Sequence, residues 1–206
     1  MDILFATHNK SKKKIYVEGL KSKNINVLTL DDLEICLDVE EDGKTSKENA
    51  VKKAKEYNKI SKMITVSVDD SLVIENIPSN IQPGVNVRRV NGKVLNDIEM
   101  IEYYSNLVKK YGDNGKLNAC FEKSIAICFN QNEVYSYDYK NKIILTDKVS
   151  DIINPGYPIS SISIVPEFNK YAASLTTFEK EEINNIRYKK AFQFIKEKLK
   201  ERLENE

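Results

Sequence analysis

The chain has 206 residues, which is long enough for one domain with a sizeable hydrophobic core. Its 32 basic and 31 acidic residues leave a formal net charge of +1. An overall charge this small argues against electrostatic attraction to nucleic acid or to an anionic membrane. One histidine, and three cysteines without metal-like spacing, argue against a zinc site or a histidine-based triad. Because no transmembrane stretch or signal peptide is recognisable, the sequence predicts a cytoplasmic protein.

The predicted elements mix strands and helices along the chain. Apolar runs predict strands over residues 2–7, 25–30, 63–68, 72–74, 117–129 and 133–146. Amphipathic spacing predicts helices over residues 13–20, 46–62, 98–111 and 178–203. Thr45 and Glu48 fit a capping box at the start of the second of these helices, and Gly112 ends the third. The last two strands, joined at residues 130–132, should form a hairpin. We therefore expect a mixed α/β fold with a long twisted sheet flanked by helices, as one domain over residues 1–206 or one domain with two lobes and a substrate cleft between them.

A strand, a polar turn and a helix follow one another at the start of the chain. The apolar strand ends at Thr7, and Lys12 falls in the first turn of the predicted helix. Backbone N–H groups and the helix dipole converge on an anion at such a junction. The lysines here also fit a solvated helix face, and no glycine-rich phosphate-binding loop is present.

Two adjacent carboxylates, Asp69 and Asp70, end a β-branched apolar run. If they lie at the lip of a sheet, they point to opposite faces, so one can hold a metal while the other acts on a water. The alternative is a polar turn between two hairpin strands, since Asp and Ser are ordinary turn residues.

Four segments in the first half of the chain carry a linked pattern. They are Phe5-Ala6-Thr7-His8-Asn9-Lys10-Ser11-Lys12, Val39-Glu40-Glu41-Asp42-Gly43-Lys44-Thr45 with Glu48-Asn49-Ala50 and Lys53-Ala54, Val68-Asp69-Asp70-Ser71, and Pro83-Gly84-Val85. In their order and approximate spacing they resemble the Ham1-like inosine triphosphate pyrophosphatase family, whose members hydrolyse non-canonical purine nucleoside triphosphates to the monophosphate and pyrophosphate with magnesium. The resemblance implies the same fold, a nucleoside triphosphate as substrate, Mg²⁺ as cofactor and a homodimer.

The resemblance also implies roles for individual residues. Asp70 resembles the general base, and Lys12 a phosphate-binding lysine that stabilises developing charge. Glu40 resembles the magnesium ligand, and Asp69 is placed to share the ion. The remaining substrate contacts implied for the first half of the chain are Thr7, Asn9, Lys53, Ser71, Arg88 and Arg89. Solvated charge runs remain the alternative interpretation of the acidic stretch and of the lysines around residue 53.

The C-terminal half departs from the family pattern. Tyr157 lies where the family stacks an aromatic residue on the base, and Lys180 and Arg187 match or neighbour further base contacts. The family aspartate is absent from residues 154–161, and Ile186 stands in place of the family histidine. Those two groups let a site select a 6-oxopurine, so we expect altered base selectivity.

Three functional interpretations follow from this divided pattern. The first is a magnesium-dependent triphosphate pyrophosphohydrolase with an altered base site. The second is a catalytically impaired nucleotide-binding or sensor protein of the same fold, in which the retained carboxylates would oppose phosphate binding. The third is the same chemistry on a modified or pyrimidine nucleotide.

Overall fold

The computed structural model of the protein describes residues 1–204. The helices are α1 (Lys10–Leu20), α2 (Ser46–Ser61), α3 (Asp97–Tyr111) and α4 (Thr177–Glu204). The strands are β1 (Asp2–Ala6), β2 (Asn26–Thr29), β3 (Thr65–Ile74), β4 (Arg89–Val90), β5 (Lys93–Val94), β6 (Lys116–Asn130), β7 (Glu133–Thr146), β8 (Ser163–Val165) and β9 (Lys170–Tyr171). Among the helices of this range, none combines the length and apolar character that crossing a bilayer requires.

The sheet of the described chain is mixed and runs in the order β2-β1-β3-β6-β7-β8-β9, while β4 and β5 pair separately. Strand β1 is parallel to both β2 and β3. Strand β8 is antiparallel to both β7 and β9. The predicted mixed α/β class with a long sheet and flanking helices is confirmed.

Most predicted elements form with small shifts at their ends. Helix α1 begins at Lys10 rather than residue 13, because the Asn9 side chain accepts a hydrogen bond from the Lys12 N–H and caps the helix earlier. Thr45 caps α2 by accepting from the Glu48 N–H, as the sequence predicts. The Glu48 carboxylate accepts from the Lys44 N–H instead of completing a capping box with Thr45.

The alternative of a turn at Asp69 and Asp70 is wrong. Strand β3 continues through both residues to Ile74, so the two apolar runs that flank them belong to one strand. The carboxylates therefore lie in the middle of a strand rather than at its lip. The predicted hairpin of β6 and β7 is confirmed, with Gln131 and Asn132 between the two neighbouring strands.

The chain divides into two compact units. The first unit contains residues 1–70, 123–139 and the segment from Asn184 onward, and the second contains residues 71–122 and 140–183. The boundary on β3 falls directly after Asp70. One domain over residues 1–206 stays a prediction.

Both faces of the sheet are covered in the first unit, because alternate residues of β1 belong to different clusters. Ile3 and Phe5 pack in a cluster with residues of α1 and α4, among them Tyr16 and Leu199. Leu4, like Ala6, packs on the other face in a cluster with Tyr57 of α2. Each large side chain fully buried here contributes about 1.5–3 kcal/mol. This packing fixes β3, which carries the paired carboxylates.

In the second unit, α3 packs its apolar side on the ends of the long strands. Met100, Tyr104 and Val108 lie in one buried cluster with Leu72 and Leu117. Helix α3 begins with a capping box between Asn96 and Glu99, and the predicted stop at Gly112 is confirmed. The capping box thereby fixes the start of α3, whose first residue is Asp97.

Candidate active site

Strand geometry sends the carboxylates of Asp69 and Asp70 to different partners. Consecutive side chains on a strand point to opposite faces. The Asp69 carboxylate contacts two side chains of α2, whereas the Asp70 carboxylate contacts Lys12 of α1 and Lys123 of β6. Two consecutive residues of β3 thus take part in two separate polar centres.

The centre at Asp69 is nearly closed. Its Oδ1 lies 2.9 Å from Lys53 Nζ, and its Oδ2 accepts a hydrogen bond of 3.1 Å from Asn49 Nδ2. Glu41 also pairs with Lys53. Burial raises the pKa of Asp69 even though Lys53 lies beside it. Although burial lowers the pKa of Lys53, Asp69 and Glu41 raise it above its ordinary value.

The centre at Asp70 carries two cations on one oxygen. Lys12 Nζ lies 3.2 Å and Lys123 Nζ lies 2.8 Å from Asp70 Oδ2. Oδ1 is buried, and no hydrogen-bond partner for it is found among the side chains that the structure describes. Burial acts to raise the pKa of Asp70, but Lys12 and Lys123 hold it far below its usual range. Asp70 is therefore an ionised carboxylate with one oxygen left for a further ligand.

The loop between β1 and α1 has the form expected of an anion site. The Asn9 N–H donates to Thr7 Oγ1 at 3.2 Å, and Asn9 Oδ1 accepts from the Lys12 N–H at 3.0 Å. These bonds fix the turn from which Lys12 extends. The structure therefore brings Lys12, Lys53, Asp69 and Asp70 together within the first unit, with Thr7 and Asn9 in the adjoining loop.

The acidic segment after β2 is tied to that loop. His8 Nε2 lies 2.9 Å from the Leu37 carbonyl oxygen, which also accepts a hydrogen bond of 2.8 Å from Tyr57 Oη of α2. Glu40 follows three residues later and is exposed. The contact with Leu37 holds the start of the acidic segment beside the loop.

The donor set fits Mg²⁺ by its chemistry. No group of three or more His, Cys, Asp or Glu side chains that could hold a metal by themselves is found in the part of the chain described. Mg²⁺ usually takes only one or two carboxylates and completes its shell with water and substrate phosphate. Glu40 offers an exposed carboxylate of that kind, and each oxygen of Asp69, with one partner among the described side chains, keeps a second lone pair for a metal. Glu40 and Asp69 stay the predicted ligands.

The other predicted contacts lie elsewhere in the chain. Ser71 follows Asp70 and is buried, with its Oγ 3.5 Å from the Glu122 carbonyl oxygen. Arg89 is exposed in β4. Lys180 is exposed near the start of α4, and Arg187 is half-buried further along that helix. Their roles stay predictions.

Arg88 and the loop of Tyr157 are linked within the second unit by Asp97. Arg88 Nη1 donates to Asp97 Oδ1 at 2.8 Å, and the Gly156 N–H donates to Asp97 Oδ2 at 2.6 Å. Tyr157 is 40% exposed as a residue, and an aromatic side chain is suited to stacking on a base. Asp97 thus connects Arg88 to the loop that carries Tyr157, and the sequence predicts that both of these residues contact substrate.

Sequence reasoning did not assign four residues that complete these centres: Asn49, Lys123, Glu41 and Asp97. Asn49 and Glu41 lie inside the family-like acidic segment, so the pattern already contained them. Lys123 and Asp97 contact their partners across gaps of 53 and 59 residues, and no local signal marks them.

Most of the chain is similar to known proteins. Residues 3–197 match the model of the Ham1 family. A dITP/XTP pyrophosphatase of Clostridium perfringens is 30% identical over 203 residues, which covers 96% of each chain. Another from Wigglesworthia glossinidia brevipalpis is 32% identical over 200 residues, covering 94% of this chain and 96% of the relative. The solved structure of a HAM1 protein from Coxiella burnetii matches with a TM-score of 0.76 at 25% identity, covering 96% of this chain and 99% of that one.

Proposed function

The chain belongs to the Ham1 family, and we propose that it hydrolyses a non-canonical purine nucleoside triphosphate to the monophosphate and pyrophosphate in the presence of Mg²⁺. The observation that carries this proposal is the buried, unpartnered Oδ1 of Asp70 beside Lys12. A carboxylate oxygen next to a phosphate-binding lysine is placed to accept a proton from a water that attacks phosphorus. The dITP/XTP pyrophosphatases with which the chain aligns over nearly its full length support the reaction class.

The residues of the site divide the reaction between them. Asp70 Oδ1 orients the attacking water toward the α-phosphorus and accepts its proton after Lys12 has left for the phosphates, because one of the two cations that lower the pKa of Asp70 is then gone. Lys12 turns from Asp70 to the phosphates, where its charge stabilises the negative charge that develops during attack. Lys53 holds Asp69 ionised and in place. Mg²⁺, when held by Glu40 and Asp69, would supply a Lewis acid for the phosphate oxygens.

The base site is the altered part of this proposal. Tyr157 presents a ring that can stack on any base, because every base has a π face. Ile186, at the position of the family histidine, is 57% exposed and offers no hydrogen bond to a base. Residues 154–161 contain no carboxylate. We therefore propose that discrimination between 6-oxopurines and other bases is weaker than a carboxylate and a histidine would provide.

Product analysis tests the proposed reaction. The purified protein with Mg²⁺ is given triphosphates of inosine, deoxyinosine, xanthosine, adenosine, guanosine and the pyrimidine nucleosides, and the products are separated. We expect pyrophosphate with the matching monophosphate from the inosine, deoxyinosine and xanthosine triphosphates, together with measurable turnover of the canonical triphosphates. Orthophosphate release would contradict the reaction, and a steep preference for inosine and xanthosine would contradict the altered selectivity. Binding of nucleotide without any product would favour a nucleotide sensor.

We also propose that the protein is a homodimer in the cytoplasm. The family resemblance supports the dimer. Light scattering of the purified protein measures the mass of the assembly, and a monomer across micromolar concentrations would contradict the dimer.

The cytoplasm is a reducing compartment, and the three cysteines, all thiols in the structure, fit it. Cell fractionation tests the compartment.

A further inference from the structure

A buried lysine that has no place in the reaction just described contacts Asp70. Lys123 belongs to β6, and only 11% of its side chain is exposed. Its ammonium group lies 2.8 Å from Asp70 Oδ2 and 5.8 Å from the centre of the Tyr188 ring. Burying an ammonium group is costly unless a carboxylate compensates its charge. The position of Lys123 therefore depends on Asp70, and that of Asp70 on Lys123.

The surroundings of Lys123 restrict its movement. The Tyr188 ring packs edge-on against both Tyr16 and Tyr139, and the hydroxyls of Tyr16 and Tyr139 are hydrogen-bonded to each other. All three rings belong to the same unit as Lys123 and Asp70. A lysine held between an aromatic wall and a carboxylate loses most of its alternative rotamers, so it acts as a fixed cation.

Lys12 differs from Lys123 although both contact the same oxygen. Lys12 extends from the first turns of α1, next to the loop of Thr7 and Asn9, and 20% of its side chain is exposed. It can turn toward a bound phosphate. If it does, Asp70 keeps a cation on Oδ2 only because Lys123 stays.

We infer that Lys123 is a positioning residue that holds Asp70 by Oδ2, keeps Oδ1 directed at the attacking water, and lets Lys12 leave Asp70 for the substrate phosphate. This inference rests on the proposed function. It explains why one carboxylate oxygen carries two lysines while the other has no partner among the described side chains.

The test replaces Lys123 by an apolar side chain of similar length. We expect Lys123→Met to lower kcat about tenfold, since groups of one ion-pair network commonly couple that strongly. It should also weaken binding of inosine 5′-α,β-imidotriphosphate with Mg²⁺ about fivefold, because Lys12 is then needed at Asp70. Lys198→Met is the matched control, since Lys198 also combines a carboxylate, Glu201, with a tyrosine ring, Tyr135. The control should leave kcat and binding unchanged.

A double-mutant cycle separates positioning from a general loss of packing. In an Asp70→Asn background there is no carboxylate to hold Lys12, so adding Lys123→Met should change the dissociation constant of the analogue less than twofold. An equal loss of binding in both backgrounds, or an unchanged kcat in Lys123→Met, would overturn the inference. If Lys123→Met does not fold, Lys123→Gln replaces it in the same cycle.

The cycle measures binding, so its outcome does not depend on turnover. Wild-type protein that binds the analogue but releases no pyrophosphate would contradict the proposed function while the cycle still reports on Lys123. Protein that does not bind the analogue at all would overturn both.

Discussion

Asp69 and Asp70 are neighbours in β3, yet their carboxylates contact different lysines: Lys53 lies 2.9 Å from Asp69, and Lys123 lies 2.8 Å from Asp70. The alternation of side chains along a strand produces this separation. One carboxylate is enclosed by α2, and the other keeps an oxygen without a described partner. Two adjacent positions of one strand can therefore serve a metal and a water separately.

Asp70→Asn should abolish turnover and leave nucleotide binding largely intact. The amide keeps the size of the side chain but cannot accept the proton of the attacking water, and general-base catalysis contributes roughly 10² to 10⁴ in rate. Steady-state kinetics, with calorimetric binding of the non-cleavable analogue, measures the two effects. Asp31→Asn, at an exposed carboxylate paired with Lys13, is the control. Full activity of Asp70→Asn would remove the role assigned to Asp70.

Lys12→Ala should raise KM for every base alike. A charge-assisted hydrogen bond contributes about 1.5–3 kcal/mol, which corresponds to roughly a tenfold to hundredfold change in KM. Lys14→Ala is the control, since Lys14 is exposed on the same helix. KM values across the triphosphate panel check this prediction. A loss confined to some bases would show that Lys12 contacts the base rather than phosphate.

The sequence predicted the longer strands, the helices and the loop of Thr7 and Asn9 because local patterns encode them, but it did not predict the strands of two or three residues, β4, β5, β8 and β9. It predicted the paired carboxylates but left strand and turn as alternatives, since Asp and Ser are ordinary in turns. Tertiary packing favours the strand, since Ser67 and Ser71, which lie on either side of the two aspartates, are buried in β3. The contacts of Lys123 with Asp70 and of Asp97 with Gly156 join residues far apart in the chain, and no local pattern encodes them.

Asp97→Ala should impair substrate binding more than catalysis. The change removes the acceptor for the Gly156 N–H and the partner of Arg88, so the loop that carries Tyr157 loses its anchor. Stacking of a base on one aromatic ring contributes about 1–3 kcal/mol, and Tyr157→Ala removes that ring altogether. We therefore expect KM to rise in Asp97→Ala by no more than it rises in Tyr157→Ala, with a smaller change in kcat.

Glu99→Ala provides the control for Asp97→Ala. Glu99 also lies in the first turn of α3 and completes its capping box, so this variant weakens the helix start without touching Gly156. If Glu99→Ala raised KM as much as Asp97→Ala does, the effect would come from α3 and not from the loop.

Glu179→Gln should destabilise the protein at neutral pH but not at low pH. Hydrogen bonds from Lys170 and Thr176 lower the pKa of Glu179 to about 2. A carboxyl whose folded pKa lies below its unfolded value stabilises the fold above the unfolded value, which is about 4.3. That contribution is lost as pH falls from there toward 2. Urea unfolding of both proteins across this range measures it, and a difference independent of pH would contradict the role of the charge.

The most direct test of the proposed reaction is hydrolysis in water enriched in ¹⁸O, followed by mass spectrometry of both products. Attack of water on the α-phosphorus, oriented by Asp70, places one ¹⁸O atom in the nucleoside monophosphate and none in the pyrophosphate. Label in the pyrophosphate would mean attack on the β-phosphorus, and labelled orthophosphate would mean attack on the γ-phosphorus. Either of those results would contradict attack of water on the α-phosphorus at this site.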